Sequence, residues 1–173
     1  GRNDNNKILT SNDVYTLTGT ALDQFKCENV EISPEIEIKD VTNNKILIKN
    51  IIGDSPKLFI RFTGVGCSNC LDSFEKELKQ VRSQIKNENI VFLFSLKNTT
   101  ELNALRKLYR IESPVYLVEK GALPFRIENQ EDIVALFFFI MDKDLKSKHF
   151  YIPISGFNDF TTKYCELINS RYF

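Results

Sequence analysis

The sequence of 173 residues has no tryptophan, one methionine and one histidine, and a single histidine gives no basis for a Ser-His-Asp catalytic set. Lysine plus arginine and aspartate plus glutamate number 23 each, so the chain lacks the positive surplus that nucleic-acid binding requires. No long basic tract indicates an anionic membrane surface. The longest apolar run, residues 134–141, is too short to span a bilayer. The composition, 42% apolar and 27% charged, is typical of one soluble globular domain.

Only four cysteines are present, which excludes a disulfide-dense scaffold. Cys67 and Cys70 form a C-x-x-C sequence, whereas Cys27 and Cys165 are far from it and from each other. Those two either pair with each other or are small buried hydrophobic side chains. A zinc site would need two further nitrogen or sulfur ligands, and Cys27, His149 and Cys165 form no second close pair, so we expect no metal.

The C-x-x-C lies between a strand pattern, residues 58–62, and a helix pattern. Apolar residues spaced by three and four define that helix: Leu71, Phe74, Leu78, Val81 and Ile85. At a helix N-terminus, unpaired N–H groups and the positive end of the dipole stabilise a thiolate. The pattern is therefore typical of a redox dithiol, in which Cys67 attacks and Cys70, one turn along, closes the disulfide.

Apolar periodicity predicts an alternation of strands and helices along the rest of the chain. The predicted strands are residues 30–38, 45–49, 58–62, 90–96, 115–118, 134–141 and 149–152. The predicted helices run from the C-x-x-C to about residue 87, from Asn98 to about residue 109, and over about residues 160–168. This order predicts an α/β fold: a mixed central sheet with helices on both faces and an N-terminal β-hairpin.

The first dozen residues are rich in asparagine, aspartate, serine and lysine, which predicts a flexible lead-in. The chain begins at Gly1 and its only methionine is Met141, so we expect a processed or trimmed form. Any export signal or lipid anchor would lie upstream. We assign residues 1–29 to the lead-in and an N-terminal extension, and residues 30–173 to the folded domain.

Residues 57–70 and the order of elements resemble the thioredoxin-like thiol–disulfide oxidoreductases, in particular the AhpC/TSA-type redoxins of the bacterial cell envelope. The likeness runs from about Glu35 to the C-terminus. It implies a thioredoxin-like domain over residues 30–173, with Cys67 as the exposed attacking thiol and Cys70 as the buried resolving thiol. It also implies a disulfide-containing protein substrate, a redox partner protein, no cofactor, and a location in the envelope or periplasm or outside the cell.

Three positions depart from the pattern of that family. Gly66 stands where tryptophan is common, residues 131–135 lack the proline that usually begins the strand facing the dithiol, and Arg61 replaces a buried acidic residue. The first two departures favour an alternative function, a thioredoxin-like accessory or binding module whose dithiol is weakly active or structural. A peroxidase is a third hypothesis, since peroxiredoxins place threonine three residues before the reactive cysteine and Thr63 is four before Cys67.

Arg61 alternates with Phe59 and Thr63 on one face of its strand. Two hypotheses follow. The guanidinium lies beneath the dithiol and favours thiolates, or it pairs with a carboxylate and serves the structure.

Overall fold

The fold was obtained as a computed structural model that describes residues 8–129 and 134–173. The helices of this part are α1 (Ser11–Cys27), α2 (Ser68–Arg82), α3 (Thr99–Leu108) and α4 (Asn158–Tyr172). The strands are β1 (Glu37–Lys39), β2 (Lys45–Leu47), β3 (Lys57–Phe62), β4 (Ile90–Phe94), β5 (Val115–Leu117), β6 (Leu136–Met141) and β7 (Lys148–Tyr151). Within these two ranges, no helix is both long enough and apolar enough to cross a membrane.

All seven strands form one sheet in the order β2-β1-β5-β4-β3-β6-β7. Strands β3, β4 and β5 are parallel to one another, and the remaining pairs are antiparallel. The crossovers through α2 and α3 step in the same direction across the sheet. Because such crossovers are right-handed, both helices lie on one face.

The side chains of β3 alternate between the two faces of the sheet. Leu58, Ile60 and Phe62 pack with α2, α3 and α4 on what we call the helix-covered face. Phe59 packs on the opposite, loop-covered face, with Cys27 at the end of α1 and with apolar residues of the segment 118–127. The dithiol helix α2 is therefore on the opposite side of the sheet from the segment that follows β5.

The predicted α/β class, the mixed sheet and the N-terminal hairpin are confirmed. Helices were predicted on both faces; the three predicted helices all cover one face, and it is the end of α1, at Cys27, that packs on the other. Asp40 shapes the hairpin turn, because its Oδ1 accepts the N–H groups of Thr42 and Asn44. The strand predicted over residues 30–38 is wrong for most of its length, since β1 begins only at Glu37. Ser33 and Pro34 interrupt the pattern, and the Ile36 N–H bonds back to the Ser33 carbonyl in a turn.

Two helix predictions need correction. The lead-in was expected to extend through Asn12, but α1 begins at Ser11, and Thr10 caps it. Its C-terminal end is held to β7, since the Glu28 carboxylate accepts the N–H groups of His149 and Phe150. The helix after the cysteines ends at Arg82 rather than near residue 87. Residues 1–7 lie outside the described part of the chain, and the division at residue 29 stays a prediction.

Candidate active site

The turn after β3 brings Cys67 to the N-cap of α2. The Cys67 N–H donates to the Gly64 carbonyl at 3.0 Å, which closes the turn. In its cap conformation the Cys67 Sγ accepts the Cys70 N–H at 3.2 Å, which satisfies one of the open donors of the helix. Cys67 and Cys70 form a disulfide with their Cα atoms 5.2 Å apart. The first sulfur is thus at the positive end of the helix dipole.

Gly64 allows the dithiol turn and the start of β6 to pack together. A Cβ at this position would lie 2.7 Å from the Cys70 Cβ and 2.8 Å from the Ala135 Cβ, so no larger side chain fits. The neighbouring Thr63 N–H donates to the Ala135 carbonyl at 2.8 Å. Gly64 was not among the predicted site residues, although two closely spaced glycines, Gly64 and Gly66, directly before the C-x-x-C were a visible signal of a tight turn.

A cleft of about 480 Å³ opens beside Cys70. It lies between the first turns of α2, the start of β6 and the segment that joins β7 to α4. Ala135, Leu136 and Ile152 are among its apolar lining residues. Cys67 and Cys70 are both partly exposed, and of the two only Cys70 lines the cleft. The difference in exposure between the two sulfurs stays a prediction.

Glu77 is the unexpected member of this site. It lines the cleft two turns after Cys70, yet it is only 6% exposed. Its Oε2 has no hydrogen-bond partner within the two described ranges, and burial raises the pKa of the carboxyl above its ordinary value of 4.5. An acidic residue between Phe74 and Leu78 in the apolar stripe of α2 was the sequence signal for it.

No family model matches the sequence, and no curated protein matches it either. Solved structures do match. A protein of Aquifex aeolicus VF5 with a proposed role in electron transport is 13% identical with a TM-score of 0.61, over 83% of this chain and 98% of that chain. The chain has a thioredoxin-like fold.

Two further thioredoxin-like structures are similar to this chain. A proposed thiol:disulfide interchange protein DsbE of Chlorobium tepidum is 14% identical, with a TM-score of 0.55 over 82% of this chain and 97% of that chain. A secreted disulfide oxidoreductase of Mycobacterium tuberculosis is 12% identical, with a TM-score of 0.51 over 77% of this chain and 96% of that chain. At these identities the matches show the fold.

Arg61 lies outside the site, on the loop-covered face of the thioredoxin-like sheet. It is fully buried, and its Nε donates to the Glu128 Oε1 at 2.6 Å. Its two terminal nitrogens donate to the carbonyls of Val118 and Glu119 at 2.9 Å each. The hypothesis of a guanidinium beneath the dithiol is therefore wrong, and the hypothesis of pairing with a carboxylate is confirmed.

The other two cysteines are free thiols on opposite faces of the sheet. Cys27 packs on the loop-covered face and Cys165 on the helix-covered face, so they do not pair with each other. Burial raises the pKa of the Cys27 thiol to about 11 and that of the Cys165 thiol to about 12. Both behave as small hydrophobic side chains. His149 is not close to the dithiol turn in the fold, because its Nε2 is hydrogen-bonded to the Tyr172 hydroxyl near the C-terminus.

Two of the family departures bear on the surface around the dithiol. At Gly66 a Cβ would meet no atom within 4 Å, so packing does not require glycine at this position. Of the residues that lack the usual proline, Val134 and Ala135 are described, and residues 131–133 lie outside the described part. The Thr63 hydroxyl, on which the peroxidase hypothesis depends, is buried with no hydrogen-bond partner within the described ranges.

Proposed function

We propose that this protein is a thiol–disulfide oxidoreductase that reduces or exchanges disulfides in partner proteins. The observation that carries the proposal is the Cys67–Cys70 disulfide at the N-cap of α2. The same N-terminus that donates an N–H to the Cys67 sulfur in the disulfide would stabilise a Cys67 thiolate after reduction.

The reaction proceeds in two exchanges. The Cys67 thiolate attacks one sulfur of the partner disulfide, a mixed disulfide forms, and the other partner sulfur leaves as a thiolate. The Cys70 thiol loses its proton and attacks the Cys67 sulfur, which releases the second partner sulfur. Two electrons have then passed to the partner, and the Cys67–Cys70 disulfide is restored. A redox partner protein must return two electrons before the next cycle.

Trapping tests the assigned roles. The reduced Cys70→Ser variant should accumulate a mixed disulfide between Cys67 and disulfide-bonded insulin, because the resolving thiol is missing. Cys67→Ser should trap none, and Cys165→Ala, which removes a buried free thiol, should turn over insulin as the wild type does. Equal trapping by the two dithiol variants would contradict the roles, and no insulin reduction by the wild type would contradict the function.

The cell envelope, the periplasm or the exterior of the cell is the proposed location, and net reduction is the proposed direction. One similar structure is that of a secreted disulfide oxidoreductase, which supports the location. Localisation of the complete gene product by cell fractionation tests this part, and recovery in the cytoplasm would overturn it.

A second candidate is an accessory module whose dithiol is weakly active or structural. Gly66 and Ala135 favour it, because the groove beside the dithiol lacks two residues with which the family shapes substrate docking. This candidate predicts that a partner binds while insulin is not reduced. A measured reduction potential below about −300 mV would favour a structural disulfide.

A further inference from the structure

The cleft beside Cys70 combines an apolar channel with a buried acid. Ala135, Leu136 and Ile152 are among its apolar lining residues, and the buried Glu77 also lines it. Glu77 comes seven positions after Cys70 on α2, which is about 10 Å along the helix axis and nearly two full turns. Both residues therefore lie on the side of the helix that lines the cleft.

One oxygen of the buried Glu77 carboxyl, Oε2, has no hydrogen-bond partner within the described ranges, while the Thr161 side chain on α4 hydrogen-bonds the carboxyl. Buried carboxylates are nearly always paired or hydrogen-bonded, because their desolvation is costly. Within the described ranges no lysine or arginine forms an ion pair with Glu77. Lys76 also lines the cleft and its charge favours the Glu77 carboxylate, but its side chain is exposed and makes no ion pair there. Asp72 adds a second acidic residue to the cleft lining. A cationic donor placed in the cleft would offset the cost that the fold leaves at Glu77.

We propose that this cleft is a subsite for a lysine or arginine side chain of the protein substrate, a few residues from the cysteine that is attacked. The aliphatic stem of such a side chain would pack on the apolar wall, and its charged end would meet Glu77. Glu77 and Asp72 disfavour an acidic side chain in the same place. That the occupant belongs to a disulfide-containing protein rests on the proposed function, whereas the preference for a cation rests on the cleft alone.

Peptides without cysteine test the subsite separately from the redox chemistry. The probes are Ac-Ala-Ser-X-Leu-Ala-NH2 peptides in which X is lysine, norleucine or glutamate, titrated into the oxidised protein. Amide NMR shifts of Ala135, Leu136 and Ile152 report binding. We expect the lysine peptide to bind about tenfold more tightly than the norleucine peptide, equivalent to about 1.4 kcal/mol. The glutamate peptide should bind more weakly than both.

Two variants of α2 provide the matched comparison. In Glu77→Gln, the lysine peptide should bind no more tightly than the norleucine peptide. Glu75→Gln, the same change at an exposed position outside the cleft lining, should keep the tenfold preference. A wild-type protein that binds lysine no better than norleucine, or a preference that survives Glu77→Gln, would overturn the proposal.

A second measurement does not depend on the folding of the variant. A carbodiimide should couple the lysine Nζ of the bound peptide to the Glu77 carboxyl, and the water lost in the amide bond hydrates the carbodiimide to a urea. Mass spectrometry locates the link, and coupling only at exposed carboxylates would overturn the proposal. A protein that prefers the lysine peptide but does not reduce insulin would refute the oxidoreductase function and keep the subsite. A protein that reduces insulin but shows no preference for lysine would keep the function and refute the subsite.

Discussion

Replacing Arg61 by methionine tests whether this buried guanidinium serves the fold or the dithiol. Among the described residues, the change leaves the buried Glu128 carboxylate with one donor, the Gly121 N–H at 3.0 Å. It also leaves the carbonyls of Val118 and Glu119 without their side-chain donor. Removing one partner of a buried ion pair costs about 3–5 kcal/mol, and each orphaned carbonyl adds about 1 kcal/mol. Because these losses overlap, we expect about 4–6 kcal/mol.

Urea unfolding at neutral pH measures that loss as a change in the free energy of unfolding. The expected loss is a large part of the free energy of unfolding of a typical domain, which is about 5–15 kcal/mol. Arg126→Met, at an exposed arginine two residues before Glu128, is the matched control and should change stability by less than about 0.5 kcal/mol. The double variant Arg61→Met with Glu128→Leu should lose about 2–3 kcal/mol less than the sum of the two single changes, since no charge remains buried.

The dithiol supplies the second part of this test. Arg61 is on the loop-covered face and α2 on the helix-covered face, so the Cys67–Cys70 potential should shift by less than about 10 mV. On the scale on which 30 mV equals about 1.4 kcal/mol, that is under about 0.5 kcal/mol. A loss of stability below about 1 kcal/mol would refute the structural assignment. A shift of 30 mV or more in folded protein would restore a role in tuning the thiolates.

Three further predictions concern the site. Gly64→Ala should destabilise the protein by about 1–3 kcal/mol in urea unfolding, because the added methyl group clashes with the dithiol turn. Gly66→Ala, where the added methyl group meets no atom, should change stability by less than about 0.5 kcal/mol. Equal effects of the two changes would contradict the packing argument. Burial raises the pKa of Glu77, so the folded state binds this proton more tightly than the unfolded chain does, and wild-type stability is lost as the pH rises above 4.5. Glu77→Gln should therefore gain stability relative to the wild type as the pH rises above 4.5, and a constant difference would show that burial does not penalise the charged form. After reduction, Cys67 should react with iodoacetamide faster than Cys165, the pKa of whose buried thiol is raised to about 12, as mass-resolved labelling can test.

Local patterns predicted the dithiol position because each signal there is short-range. The strand before Cys67, the apolar spacing after it and the N-cap at Asn98 all lie within one element and its flanks, and all are present in the structure. The parallel pairings of β3 with β4 and of β4 with β5 also followed, since strand–helix alternation leaves few other connections.

Helix α1 escaped prediction because it buries little. Val14, Leu17, Ala21 and Phe25 are spaced by three and four, but only Cys27 is fully buried along the helix and Phe25 is exposed, so the spacing marks no face of the core. The available signal was the capping box, in which the Asp13 N–H donates to the Thr10 Oγ1 and the Thr10 N–H to the Asp13 carboxylate.

The pairing of Arg61 with Glu128 escaped prediction for a different reason. The alternation along β3 gave the correct face for Arg61, but its partner is 67 positions away in a segment without strand or helix periodicity. A long-range contact of this kind depends on the tertiary fold, which brings the 118–128 segment over the sheet.

The ion pair and the dithiol are linked through the backbone rather than through charge. Arg61 lies between Ile60 and Phe62, whose side chains pack beneath α2 on the other face. The bonds from Arg61 to Glu128 and to two carbonyls therefore fix the last residues of β3. The turn that leads to Cys67 begins at Gly64, three residues after Arg61. Because Gly64 lies within contact distance of both Cys70 and Ala135, a shift at the end of β3 would alter the packing of the dithiol turn on the start of β6. Arg61 thus holds the end of β3 in place from the face of the sheet opposite α2.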